Sequence, residues 1–360
     1  MNIGIDAKWY FNGHPSGKVV VESIVNHIVK LDHEVNFFIF LDKKDEALDF
    51  PIDERHVHPV YVPNTLNAVT NFFIMPFYTR KYRLDVCRYQ NYAPFFGAKK
   101  IVNYVHDALF MDYKSFFSFK ERLYFLPMKY LSRHADHVIT ISHSEKERMI
   151  RHNFGKKENI SVVHHGLGLV NETHMADVDF IKKYDLPQKY ILYLGRLNVR
   201  KNIQNLLKAM VYIRKDTSLV IVGKDDHKTL DWEGIIDNLD IKDRVLKVGY
   251  VEAEDIQSFY RSASVFCFPS FAEGFGLPPL EAMFYDTPVV VSNTTSLPEV
   301  CGDAALYIDP NDPEDIAEKI SVILNDPTVN MDLKKKGKDR IAMFSWEKAS
   351  SEILSILKSI

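Results

Sequence analysis

Cysteine is scarce in this chain of 360 residues: Cys87, Cys267 and Cys301 lie far apart, and Cys267 sits inside an apolar strand pattern. Such a set offers neither a disulfide framework nor zinc-ligand spacing, which points to a reducing compartment. Long apolar runs are missing too. Nothing approaches the roughly 18 consecutive apolar residues of a membrane span, and the opening MNIGIDAKWY has no basic region followed by an apolar stretch. Neither secretion nor membrane spanning is expected, and the cytoplasm is the expected location. Charge excess is absent as well: a formal net charge of -3 gives no global reason to expect nucleic acid as a partner. No repeat or low-complexity tract stands out. The one obvious Asp-x-Asp, Asp177 and Asp179, falls at the end of a polar segment from Asn171 that lacks apolar periodicity and reads as a solvated connector. An acidic pair that ligates a divalent cation would be expected at a strand end, so no metal and no cofactor are expected.

What is present is enough apolar material, 46% of residues, to fill two cores. Strand-like runs at Ile3 to Ala7, Asn36 to Leu41, Val57 to Val62, Ile101 to Val105 and His137 to Ile141 alternate with helix-length segments, as in an α/β domain. A second series follows at Tyr190 to Gly195, Ser218 to Gly223, Val245 to Tyr250, Val265 to Pro269, Val289 to Ser292 and Ala305 to Ile308. The junction is expected near Leu186-Pro187-Gln188, which divides the chain into domains at 1–185 and 186–343, with a cleft between them.

The most telling stretch is Glu273-Gly-Phe-Gly-Leu-Pro-Pro-Leu-Glu281, which reads as a strand, a loop and then a helix entry. Helix-start amides lack intrahelical acceptors and carry the positive end of the dipole, and Gly274 and Gly276 let a phosphate approach them. Pro278 and Pro279 suit a first turn, where a missing N–H costs nothing. The acids do not belong at a phosphate site unless they bind something else. Glu281, one turn into the helix, suits both hydroxyls of a ribose diol, and Glu273 could face a sugar ring. The alternative is a dipole-complementing Glu281 and a solvated Glu273.

This segment resembles the retaining glycosyltransferases of family 4, whose mark is two glutamates separated by seven residues, here Glu273 and Glu281. The resemblance implies the GT-B fold, two Rossmann-like α/β domains facing across a cleft. It implies that Glu281 holds the donor ribose, that Gly274, Phe275, Gly276 and Leu277 meet the diphosphate and sugar, and that Glu273 addresses the transferred sugar. Arg196 and Lys201, bracketing a strand-to-helix loop, match the family's cations at the departing diphosphate, where they stabilise developing charge in place of a metal ion. Ser345-Trp346-Glu347 matches the start of a final helix that crosses back, which assigns 344–360 to the N-terminal domain.

The N-terminal half carries weaker signals. Gly13-His-Pro-Ser-Gly-Lys18 looks like a P-loop but fails as one, because Asn12 stands at the lead glycine position and Val19 where Ser or Thr would ligate magnesium. The family has a small-residue loop here that closes on donor phosphate and acceptor, which gives Gly17 a donor role and Ser16 and Lys18 an acceptor-side one. A plain strand-to-helix turn is the alternative. His106-Asp107 follows an apolar run and so sits at the edge where open sheets bind ligands. The resemblance places His106 near the donor sugar as a catalytic residue and Asp107 on the acceptor side, against a structural pair that closes a strand end. His164-His165-Gly166 departs from the family's Pro-Asn-Gly, and Ser142-His-Ser-Glu145 reads equally as a family turn or a capping box. Tyr250 and Val251, at another strand end, are expected to shape base and sugar choice. Phe116 to Leu131 interleaves aromatics with Lys120, Arg122 and Lys129, which suits a helix lying on anionic lipid or one packed on the N-terminal sheet.

Together these imply a metal-independent retaining transferase of surface polysaccharide synthesis. It would move a sugar from GDP-mannose or a UDP-sugar to a glycan or lipid-linked acceptor, at the inner face of the cytoplasmic membrane. The opening Gly4-Ile5-Asp6-Ala7-Lys8 and Val105-His106-Asp107 most resemble the mannosyltransferase-like branch. The alternatives are a silent nucleotide-sugar-binding or scaffold protein, or an epimerase of the same fold.

Overall fold

The computed structural model describes residues 1–168, 177–224 and 231–360. Most of the polar segment from Asn171 lies outside these residues. The chain divides into two compact units, the first made of Met1–Gly168 with Phe344–Ile360 and the second of the described residues between them up to Met343.

The first unit is built on seven strands: β1 (Asn2–Asp6), β2 (Asn36–Asp42), β3 (Val57–Val62), β4 (Val86–Gln90), β5 (Lys100–Val105), β6 (His137–Thr140) and β7 (Ile160–Val162). They run parallel in the order β3-β2-β1-β4-β5-β6-β7. Order reverses between β1 and β4, and in open parallel sheets the C-terminal strand ends beside such a reversal are where ligands bind. β4 and β7 carry no signal in the apolar pattern. β4 is fully buried but reads VCRYQ, and it takes Arg88 into the interior, where the guanidinium lies 4.9 Å from the Tyr104 ring centre. β7 has three residues, too short for periodicity.

The terminal helix Trp346–Ser359 belongs to this unit. Ser345 caps it, its Oγ accepting from the Lys348 N–H at 3.1 Å, and Trp346, Ala349, Ile353 and Leu357 are buried along one face. It packs on the helix Pro15–Ile28, and Lys358 meets Asp32 at 2.6 Å. Gly166 lets the chain after β7 press against the backbone at Ser345 and Trp346, where a Cβ would overlap.

The second unit has six parallel strands: β8 (Tyr190–Leu194), β9 (Ser218–Val222), β10 (Val245–Gly249), β11 (Val265–Phe268), β12 (Val289–Ser292) and β13 (Ala305–Ile308), in the order β10-β9-β8-β11-β12-β13. Its reversal lies between β8 and β11. One expectation is corrected here. Residues Asp177–Tyr184 form a helix of the second unit, so the first unit ends before the expected junction at 186, and Asp177 and Asp179 are helical. The helix is held because Phe180 is buried against Phe259, ring centres 4.9 Å apart, while Lys183 Nζ and Tyr184 Oη both donate to Asp255, at 2.6 and 2.5 Å. One buried and one half-buried aromatic four residues apart are too sparse a pattern to outweigh the polar surroundings in sequence.

Candidate active site

In the second unit the loops after β8 and β11 meet. The chain leaves β8 through Gly195 at φ 154° and β9 through Gly223 at φ 150°; a Cβ on Gly223 would overlap the Gly195 carbonyl oxygen, so only glycine allows the approach. The loop after Arg196 is pinned by Asn202, in the left-handed region at φ 58°, whose amide donates to the carbonyls of Pro269 at 2.9 Å and Pro310 at 2.6 Å. That pinning carries Arg200 and Lys201 to the end of β11. The loop after β11 is equally fixed. The Glu273 N–H donates to Thr295 Oγ1 at 3.0 Å, and Ser296 Oγ donates to the carbonyls of Glu273 at 2.9 Å and Phe275 at 2.7 Å. Gly276 turns at φ 115° into the helix Leu277–Phe284, with a Cβ position only 2.8 Å from Leu297 Cδ2.

The result is an ion triad in which Lys201 and Glu273 are buried and Arg200 is half-buried. Lys201 Nζ lies 2.6 Å from one oxygen of Glu273, and Arg200 donates to the other at 3.1 Å and also to the Ala272 carbonyl. Lys201 Nζ stands 4.7 Å from the Phe268 ring centre. Burial pushes the Glu273 carboxyl up, but Lys201 and Arg200 outweigh it and hold the group at about 2. Burial takes Lys201 down to about 8 against the pull of Glu273. At neutral pH both are charged. Glu281 has its carboxyl raised by burial, opposed by the Tyr260 hydroxyl that donates to it at 3.0 Å.

These positions refine the sequence reading. Lys201 and Glu273 are brought together, whereas the Arg196 side chain is exposed and its carbonyl accepts from Tyr193 Oη at 2.8 Å. Arg200 takes the second cation's place on Glu273. Sequence reasoning missed it; the only available signal was its position next to Lys201. Tyr250, 71% exposed, and buried Val251 follow edge strand β10, with β9 between it and β8.

In the first unit Gly17 is buried in the helix Pro15–Ile28, where its Cβ position would lie 3.0 Å from Trp9 Cε3, while Ser16 and Lys18 are exposed on the same first turn. Trp9 also packs on His106, ring centres 5.6 Å apart, so the helix start and the end of β5 converge on one indole. His106 is partly exposed; its Nε2 lies 2.9 Å from Gln90 Oε1 and its backbone N–H donates to Asn91 Oδ1 at 3.2 Å. Burial, then the Arg88 charge, bring its pKa down to about 3, so the imidazole is neutral. Asp107 Oδ1 accepts from the Leu109 N–H at 3.3 Å, closing the turn. Ser142 caps its helix by accepting from the Glu145 N–H at 3.1 Å, but Glu145 does not complete a box: it accepts from the Ala108 N–H at 2.8 Å and pairs with Arg148. His165 is buried, its Nε2 3.1 Å from Tyr104 Oη and its ring 5.4 Å from that of Trp346, an anchor for the terminal helix. Away from these strand ends, His33, Glu54 and His56 have ligand atoms within 4.8 Å of one another.

Two parallel Rossmann-like units with the polar groups gathered at their strand-order reversals define the GT-B class. Residues 17–169 match the family model described as Glycosyltransferase Family 4, and residues 177–340 match Glycosyl transferases group 1. The chain belongs to this glycosyltransferase family. It is similar to an O-antigen chain mannosyltransferase B of Escherichia coli, 38% identical over 49% of this chain and 48% of that one. It is also similar to an O-antigen chain mannosyltransferase of Salmonella typhimurium, 30% identical over 60% of this chain and 63% of that one. The chain thus spans about half to two thirds of the length of these curated relatives. A sucrose-phosphate synthase from Thermosynechococcus elongatus shares the fold with a TM-score of 0.75 and 22% identity, covering 100% of this chain and 98% of that one.

Proposed function

We propose that this protein transfers a sugar from a nucleoside diphosphate sugar, GDP-mannose or a UDP-sugar, to a hydroxyl of a glycan or lipid-linked acceptor in surface polysaccharide synthesis, with retention at the anomeric carbon. The observation that carries the reading is the Lys201–Glu273–Arg200 triad at the ends of β8 and β11, beside the glycine-led helix start at Gly276. Fixed cations and a glycine-led helix start at one reversal of strand order suit a departing diphosphate, and need no metal ion to neutralise it. Glu281, one turn into the helix and held by Tyr260, suits the ribose diol. Arg196, exposed on the same loop, is free to close on the phosphates. Donor contacts from Gly17, Tyr250 and Val251, and acceptor contacts from Ser16, Lys18 and Asp107, belong to the same reading. The mannosyltransferase relatives favour mannose.

Retention follows the same-face route, in which the leaving phosphate takes the acceptor proton. A carboxylate held at about 2 by two cations is a weak nucleophile, so Glu273 orients the sugar and does not form an adduct on it.

For the acceptor, the helix Phe119–His134 buries Met128, Leu131 and Ser132 but leaves Phe119, Leu123, Leu126 and Tyr130 exposed among Lys120, Arg122, Lys129 and Arg133. Phe95 touches His134 on this helix and Phe72 on the neighbouring segment, where Phe73 and Phe77 are also exposed. A basic and aromatic face of this kind suits a cytoplasmic membrane surface carrying anionic lipid. No helix among the described residues is long and apolar enough to cross a membrane.

The test is a thermal-shift screen of nucleoside diphosphate sugars followed by turnover. A donor at a hundred times its Kd stabilises by about 2.7 kcal/mol. Glu281→Ala should chiefly remove the shift, and Glu273→Ala chiefly the turnover. A donor-induced shift with no hydrolysis or transfer would mean a silent binder, and a changed sugar without transfer an epimerase.

A further inference from the structure

Asp6, Lys8 and Gln90 lie outside the donor chemistry, yet all three are buried, with exposures of 0%, 1% and 2%. A buried ion pair costs several kcal/mol in lost hydration unless its remaining sites are filled. Here they are filled. Lys8 Nζ pairs with Asp6 Oδ1 and donates to Asn71 Oδ1 at 2.6 Å, while Asp6 Oδ2 accepts from Asn71 Nδ2 at 2.9 Å and from the Gln90 N–H at 3.2 Å. The Gln90 side chain then has one orientation that serves both its ends. Its Nε2 donates to the Asp6 carbonyl at 3.4 Å, which leaves Oε1 as the acceptor facing His106 Nε2 at 2.9 Å. An acceptor at that nitrogen requires the ring proton to be there.

We propose that Gln90 is a positioning residue that locks His106 as the Nε2–H tautomer, so that Nδ1, at the C-terminal edge of β5, is the acceptor for a hydroxyl of the bound ligand. The assignment rests on the reading of this edge as part of a sugar-transfer site. The surroundings of the ring agree with it. Nδ1 has no hydrogen-bond partner among the described residues, and the ring packs against Trp9, Tyr104 and His165, at 5.6, 5.2 and 6.3 Å. The charge felt from β4 is the Arg88 guanidinium, which disfavours imidazolium; the Asp6 carboxylate is already paired with Lys8, and Asp107 turns to the Leu109 amide. A neutral ring with its proton on the protein side can accept but not donate on the ligand side.

Long-range ¹H–¹⁵N correlation spectra of ¹⁵N-histidine-labelled protein, with His106→Asn to assign the signal, read the tautomer directly. A protonated Nε2 and an unprotonated Nδ1, unchanged between about pH 5 and 8, are expected. A protonated Nδ1, or an imidazolium in that range, would overturn the proposal. Gln90→Leu keeps the volume and removes the acceptor, so His106 should become a tautomer mixture. Gln90→Glu should favour the charged ring and bring its titration into that range, with kcat lowered about tenfold at neutral pH while affinity for the free nucleoside diphosphate stays the same. A wild-type His106 spectrum in both variants would refute the role of Gln90. The expected spectra in a protein that transfers no sugar would sink the functional reading and leave the tautomer assignment in place.

Discussion

Replacing Lys201 by Met removes one cation from a carboxylate that stays buried, since the Lys201 and Glu273 side chains keep only 11% and 10% of their exposure. Breaking a buried pair from one side costs about 3–5 kcal/mol. Arg200 remains 3.1 Å from Glu273, which should reduce the loss to about 2–3 kcal/mol. In a unit of this size that is roughly 4–12 °C in Tm. The double variant Lys201→Met/Glu273→Gln removes the buried carboxylate together with its cation, leaves only the partly exposed Arg200 charge, which keeps the Ala272 carbonyl, and should recover most of it, as read by differential scanning fluorimetry. The signs with pH differ for the two partners. Glu273, held at about 2 against about 4.3 unfolded, contributes stability above the unfolded value and loses it as pH falls from one to the other. Lys201, at about 8 against about 10.4 unfolded, is penalised while charged, and that penalty is relieved as pH rises through this interval. In turnover, Lys201→Met should cost about 10²–10³ in kcat, and wild type should lose activity on the alkaline side near 8 as Lys201 deprotonates. Additivity of the two single substitutions within about 0.5 kcal/mol would refute the coupling.

Gly276→Ala should destabilise by about 1–3 kcal/mol and weaken donor binding by calorimetry, because φ is 115° and Leu297 Cδ2 lies only 2.8 Å from the Cβ position. Normal donor affinity in a folded variant would show that the helix entry does not hold the phosphates. Phe119→Glu with Leu123→Glu should abolish co-sedimentation with anionic liposomes and leave the melting temperature within about 1 °C, since both side chains are mostly exposed. Equal sedimentation of wild type and variant would remove the membrane face.

Most of the fold was legible because parallel strands buried on both faces read as apolar runs; all six strands of the second unit fall within the expected segments. β4 was hidden because its Arg88 and Gln90 look like surface residues until Tyr104 and His106 are seen to cover them. The helix Asp177–Tyr184 was hidden for the opposite reason, polar residues around only two anchoring rings.

The site divides along the same line. Sequence by itself determined the glycine-led helix entry, the spacing of Glu273 and Glu281, and the placing of His106 at a strand end, because these are local features set by a few consecutive residues. Only the tertiary structure decided that Arg200 joins Lys201 on Glu273, that Tyr260 holds Glu281, and that Asp6 and Lys8 steady Gln90 beneath His106. Those pairings join residues distant in the chain, and burial gives them their strength: where water is excluded, each charge and each amide must find its partner in whatever the fold brings beside it.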